Sequence, residues 1–177
     1  MQRVFCFVLL AAVCAAPLAV QAKAPKKVEV QLKNAAGADA GTIVLKQKKN
    51  GVEFKVELVG LEPGEHAIHV HQKPVCEGPG FTTAGGHFNP AGKKHGLHNP
   101  EGHHNGDLPL NLTAGADGTA HATFLAPDVS LDPAAPNSMV ANGGTSIVVH
   151  AKADDMMTDP AGNAGARVAC GVVPGVQ

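Results

Sequence analysis

Apolar and polar residues alternate with a period of two through much of the chain beyond residue 27, the pattern of half-buried strands. Val28-Glu29-Val30-Gln31-Leu32 is the first such run; Thr42-Ile43-Val44-Leu45 is the second. Val52, Phe54, Val56 and Leu58 then alternate with polar residues. An Ala/Gly-rich turn over 34–41, the Asn50-Gly51 hairpin signal and the turn Glu62-Pro63-Gly64 punctuate these runs. Three strands joined by short turns predict an antiparallel meander. Further strands are predicted over 65–72, 107–112, 119–125, 146–150 and 167–173. No stretch keeps a helical period. The pattern predicts an all-β domain of about eight strands, a sandwich or flattened barrel. Two segments break it: about 35 residues after Gln72, rich in Gly, Pro, Asn and His, and the stretch 151–165. Loops this long within one domain are functional or disordered.

The start of the chain reads differently. Residues 1–22 combine a basic start at Arg3, an apolar run from Val4 to Val20 and a small-residue ending Val20-Gln21-Ala22, the form of a secretory signal peptide. Pro17 interrupts the run and no stop-transfer cluster follows, so no membrane span is expected after processing. The remaining 23–177 suffices for one domain with its own core. Cleavage would remove Cys6 and Cys14. Cys76 and Cys170 would remain, 94 positions apart. In an exported domain they most simply form one disulfide, with two free thiols as the alternative. The formal net charge of −1, and the absence of Trp and Tyr, exclude a strongly basic or base-stacking nucleic-acid binder.

The histidines carry the candidate chemistry. On the strand predicted over 65–72, His66, Ile68 and Val70 share one face, while Ala67, His69 and His71 share the other. Residues two apart on a strand lie about 6.5–7 Å apart, so His69 and His71 can converge on one ion. His150 ends another predicted strand. With at least one loop histidine these make an all-imidazole set, which favours Cu(II) and tolerates Zn(II). The loop offers a second set: His87, His95, one of His103 or His104, and Asp107. Three nitrogens and an oxygen suit tetrahedral zinc, structural if no position is open. His66 is expected to serve packing or a hydrogen bond. His98, His103 and His121 are expected at the surface. Arg167 lies three positions before Cys170, so a disulfide there would fix it near the site.

At these residues the sequence resembles the copper/zinc superoxide dismutase family. The matching motifs are His69-Val70-His71, Gly86-His87-Phe88-Asn89-Pro90, Lys94-His95-Gly96, His104-Asn105-Gly106-Asp107, Val148-Val149-His150, and 162–172, which carries Arg167 and Cys170. They follow the family order and span almost the whole of 23–177. The resemblance implies an eight-stranded Greek-key barrel with two long functional loops, holding one copper and one zinc per subunit. It implies His69, His71, His87 and His150 as copper ligands, and His87, His95, His104 and Asp107 as zinc ligands, so that His87 bridges the two ions. Asp154 matches the outer aspartate that links a copper-side and a zinc-side histidine. Cys76 and Cys170 match the family disulfide, and Arg167 the arginine that attracts the anion.

The implied activity is dismutation of superoxide to O2 and hydrogen peroxide by a copper redox cycle, with His87 carrying a proton and Arg167 holding the substrate. Lys93, Lys94 and Lys152 are candidates for the attracting field. Family members include monomers and dimers, so a homodimer is admitted. A periplasmic or secreted location and protection of the cell envelope follow from the signal peptide. Two departures stand out. Ala161 replaces a threonine frequent at the channel rim, and Met156-Met157 replace acidic residues, so the steering arrangement does not carry over. The rival class is a metal-storage or copper-delivery domain that lacks catalysis. The presence of all four copper positions and Arg167 favours the enzyme.

Overall fold

The computed structural model describes residues 23–176, so the predicted signal peptide lies outside the described residues. Nine strands fold antiparallel: β1 (Lys27–Asn34), β2 (Asp39–Lys48), β3 (Gly51–Leu58), β4 (Gly64–His66), β5 (Ile68–His71), β6 (Leu112–Ala114), β7 (Ala120–Ala126), β8 (Gly144–His150) and β9 (Arg167–Pro174). Seven of them form one curled sheet in the order β5-β8-β9-β1-β2-β3-β7, and β4 pairs with β6. One 3-10 turn, Thr82–Ala84, interrupts the first long loop.

The alternation seen along the chain becomes the core. Val30, Leu32, Ile43, Leu45, Val52, Phe54, Val56 and Leu58 are all buried against one another. Their polar neighbours face outward. The stacked Phe54 and Phe124 rings, 5.2 Å apart, join β3 to β7. At about 25 cal/mol per Å2 of apolar area removed from water, this interior is the main source of stability.

Two strand expectations need correction. The run 65–72 is two strands that belong to different sheets. Ala67 leaves the ladder because its N–H donates to Lys152 O and its carbonyl accepts from His150 N–H. The chain turns the corner there, β4 going to β6 and β5 to β8. The run 107–112 is mostly loop. Pro109 has no N–H to give to a ladder, and the strand forms only at Leu112–Ala114. Asp107 makes one isolated bridge, to His69.

Strand β8 is buried along its whole length. Ile147 and Val149 face the barrel core. Val148 faces the other way, into a second cluster with Phe81, Ala84 and Cys170. That cluster lies under the first long loop, which the Cys76–Cys170 disulfide joins to β9 with a Cα–Cα separation of 5.6 Å. The bridge closes 94 positions of sequence, so replacing both cysteines with serine should cost about 2–5 kcal/mol. Urea unfolding of that variant beside the native chain would show it as a lower midpoint with a steeper slope, since the uncrosslinked unfolded chain exposes more surface.

Candidate metal centre

Strand β5 places Ile68 and Val70 in the core, and turns His69 and His71 toward the loop-covered outer face, both fully buried. The neighbouring β8 delivers His150. Phe88 N–H donates to Val70 O at 2.8 Å and Gln72 N–H to Gly86 O at 3.0 Å, which lays the middle of the loop along β5. His87 thereby lies against His69, ring centroids 4.0 Å apart.

Each of these four imidazoles has one nitrogen engaged and one turned inward. His69 Nε2 contacts Asp154 Oδ2 at 2.8 Å, and His71 Nδ1 donates to Gly85 O at 2.9 Å. His87 Nδ1 faces Asp107 Oδ1 at 2.9 Å, and His150 Nδ1 faces Gly165 O at 3.4 Å. The remaining atoms, His69 Nδ1, His71 Nε2, His87 Nε2 and His150 Nε2, are buried and have no hydrogen-bond partner. Ligand atoms of the four residues lie within 4.8 Å of one another. Buried polar nitrogens without partners are costly, and one cation among four of them removes that cost. The set fits copper.

On the other side of His87, three Nδ1 atoms crowd one oxygen. Those of His87, His95 and His104 lie 2.9, 3.0 and 3.2 Å from Asp107 Oδ1. His104 Nδ1 is also 3.3 Å from His87 Nδ1. Neutral or charged, three imidazoles converging this way outnumber what one carboxylate oxygen accepts with good geometry. As corners of a tetrahedron around zinc, the same spacing is natural. The other oxygen, Asp107 Oδ2, accepts the Gly96 and His104 N–H groups, which aims Oδ1 at the cluster. His69 also approaches the group of His87, His95 and Asp107, but its Nε2 is taken by Asp154. His103 is outside the cluster; it is half-buried and faces Asp128 Oδ2 at 3.2 Å.

Asp154 joins the two halves, with Oδ2 at His69 Nε2 and Oδ1 at His95 Nε2, 3.0 Å away. Gly162 makes room for this bridge: a Cβ there would overlap Asp154 Oδ1, and its φ is +62°. Sequence reasoning missed Asn111. Its Nδ2 donates to Asp154 O at 3.0 Å and its Oδ1 accepts Asp154 N–H at 2.8 Å, holding that backbone in place. His66 ends β4, in the other sheet, and takes no part in the cluster. It is buried between the His150 and Glu62 carbonyls, each 2.7 Å from a ring nitrogen.

Arg167 donates from Nη1 to Phe81 O and from Nη2 to Gly85 O, both at 2.7 Å. Gly85 O therefore ties Arg167 to His71. Among the described residues no carboxylate pairs with Arg167. It faces a cleft of about 470 Å3 whose lining includes His71, His87, His150, Pro160 and Ala161. Burial lowers its pKa somewhat, yet a guanidinium stays charged.

Burial, reinforced by neighbouring imidazoles, pushes His71 down to about 2, His150 to about 3 and His87 to about 4. Burial also acts against a charged His95, but Asp107 and Asp154 outweigh it and raise that ring to about 9. The same imidazole hydrogen bonds hold both carboxyls well below their usual range despite burial. A histidine neutral when folded gains a proton when unfolded below 6.5. The metal-free protein should therefore lose stability as pH falls from about 6.5 toward 4, through His71, His87 and His150. His95 works in the opposite direction: its contribution is present below 6.5 and fades as pH rises toward 9. Denaturant midpoints of chelator-treated protein should peak near neutrality and fall on the acid side.

The family model for copper/zinc superoxide dismutase matches residues 39–173. A copper/zinc superoxide dismutase of Aquifex aeolicus is 45% identical over 148 residues, covering 83% of this chain and 86% of that protein. A crystal structure of a superoxide dismutase-like protein from Bacillus subtilis is 41% identical with a TM-score of 0.78, over 81% of this chain and 96% of that one. The Brucella abortus Cu/Zn superoxide dismutase structure is 36% identical with a TM-score of 0.68, over 83% and 99%. With a curled antiparallel sheet, two histidine clusters sharing His87 and a match that runs through nearly all nine strands, this chain belongs to the copper/zinc superoxide dismutase family.

Proposed function

We infer that the protein dismutates superoxide, and that His69, His71, His87 and His150 hold copper while His87, His95, His104 and Asp107 hold zinc. The observation that carries this is the set of four buried, unpartnered imidazole nitrogens beside a cleft with a fixed guanidinium. Copper held by these four nitrogens would supply the one-electron redox chemistry. The balanced reaction turns two superoxide anions and two protons into O2 and hydrogen peroxide.

The chain's residues do the rest. Arg167 binds the anion, and its carbonyl partners aim the fork into the cleft. His71 keeps its orientation through Gly85 O, and His69 through Asp154. With a metal on each nitrogen His87 would carry no N–H proton, and its Nε2, buried on the copper side, is the atom placed to take a proton for the product. Asp107, fixed by two backbone N–H groups, keeps the zinc half closed. Such a half has no free position and serves to order the loop.

Residues 1–22 act in this reading as an export leader, and the domain of 23–177 works in the periplasm or outside the cell. There it protects the envelope from superoxide. The long-range disulfide supports this location, since such bridges persist in oxidising compartments. The test is superoxide decay with copper- and zinc-loaded protein, beside His150→Ala. Catalysis by the native chain and its loss in the variant are expected. A loaded native chain without catalysis, or a fully active variant, would refute the reading in favour of a metal-carrying module.

A further inference from the structure

The loop over 151–165 grips His95 at more than its ring. Asp154 Oδ1 faces His95 Nε2 at 3.0 Å, and Asp159 Oδ1 accepts the His95 backbone N–H at 2.8 Å. We propose that Asp159 is a positioning residue for the zinc half of the centre, fixing His95 through its main chain. The proposal rests on the assignment of His95 as a zinc ligand.

Three observations support it. His95 is fully buried, so its amide needs an acceptor, and Asp159 Oδ1 is the one it has. With backbone and Nε2 both held by one loop, the imidazole keeps only the orientation that presents Nδ1 to Asp107, 3.0 Å away. The grip is also continued beyond His95. His98 N–H donates to Met156 O at 2.9 Å, and that carbonyl occupies the place where a Cβ at residue 96 would lie, which explains Gly96 with its φ of +100°.

Asp159 needs its oxygen for this role more than its charge. Its other oxygen lies 3.9 Å from Lys94 Nζ, with both side chains about half exposed, and ion pairs of that kind contribute little. The next two residues, Pro160 and Ala161, line the cleft with Arg167. The same carboxylate therefore ties the zinc half to the wall over the copper half. Loss of the tie frees both.

The experiment compares the native chain with Asp159→Ala, Asp159→Asn and Lys94→Ala. Each is loaded with zinc and titrated with a chromophoric chelator, and exchange of the His95 amide is followed by NMR. Asp159→Ala should hold zinc about 10-fold more weakly, the scale of losing an outer partner of a ligand, and its His95 amide should exchange faster. Asp159→Asn keeps an acceptor oxygen and should restore native retention, and Lys94→Ala should match the native chain. Native-like zinc retention in Asp159→Ala would overturn the proposal. So would an Asn variant as weak as the Ala variant, since that result would assign the role to charge. A native chain that takes up no zinc would instead remove the ligand assignment, and the proposal with it.

Discussion

Replacing His87 with alanine is expected to abolish dismutation and to weaken both metals together. The residue lies where the two clusters meet, with Nε2 among the four unpartnered nitrogens and Nδ1 among the three that crowd Asp107. No other histidine has one nitrogen in each set. Loss of a positioned proton carrier alone costs about 10^2–10^4-fold in rate, and loss of a ligand adds to it. Asp107, Asp154, His69 and His95 would remain, so the variant keeps the outer frame of the site. A useful contrast is His95→Ala, which removes a zinc-side nitrogen and leaves all four copper-side nitrogens. Metal analysis after loading should find both ions depleted in His87→Ala, and chiefly zinc depleted in His95→Ala. Equal copper content in the native and His87→Ala chains would contradict the shared role.

The second large effect is expected from Arg167→Ala. The guanidinium is held by two carbonyls and has no carboxylate partner among the described residues, so its charge is directed to the cleft. A funnel of one sign raises the encounter rate of a small anion by about 10–10^3-fold. The rate constant of the alanine variant should fall within that range. Salt should also act differently on the two proteins. Screening over a Debye length of about 10 Å at 0.1 M slows capture by the native cleft, and the variant has less attraction to lose. Stopped-flow superoxide decay across ionic strengths checks both points. Arg167→Lys keeps a charge but not the planar fork that reaches Phe81 O and Gly85 O together, so it should recover only part of the rate.

Much of this was legible along the chain, and the boundary has a physical cause. Strands such as Gly51–Leu58 follow from local alternation, because one face must be buried. The convergence of His69 and His71 follows from the same period of two. The break at Ala67 does not, since it is set by hydrogen bonds to His150 and Lys152, far along the sequence. The run 107–112 looked like a strand by hydropathy, yet Pro109 withholds the N–H the ladder needs. Resemblance to a known family supplied the ligand sets, and the fold brings those residues together. Asn111 and Asp159 had no such signal. Each is an ordinary polar loop residue whose partner lies 43 or 64 positions away, so only the folded chain reveals what it holds.

The central claim is a paired centre with His87 shared between two different ions. Anomalous-scattering maps collected on either side of the copper and zinc absorption edges, from crystals of the loaded protein, test it most directly. Two peaks are expected, flanking the His87 ring. The copper peak should lie among His69 Nδ1, His71 Nε2, His87 Nε2 and His150 Nε2. The zinc peak should lie among the Nδ1 atoms of His87, His95 and His104 and the Asp107 carboxylate. A single peak, a zinc peak held by His103 in place of His104, or two peaks with His87 bound to only one of them would contradict it.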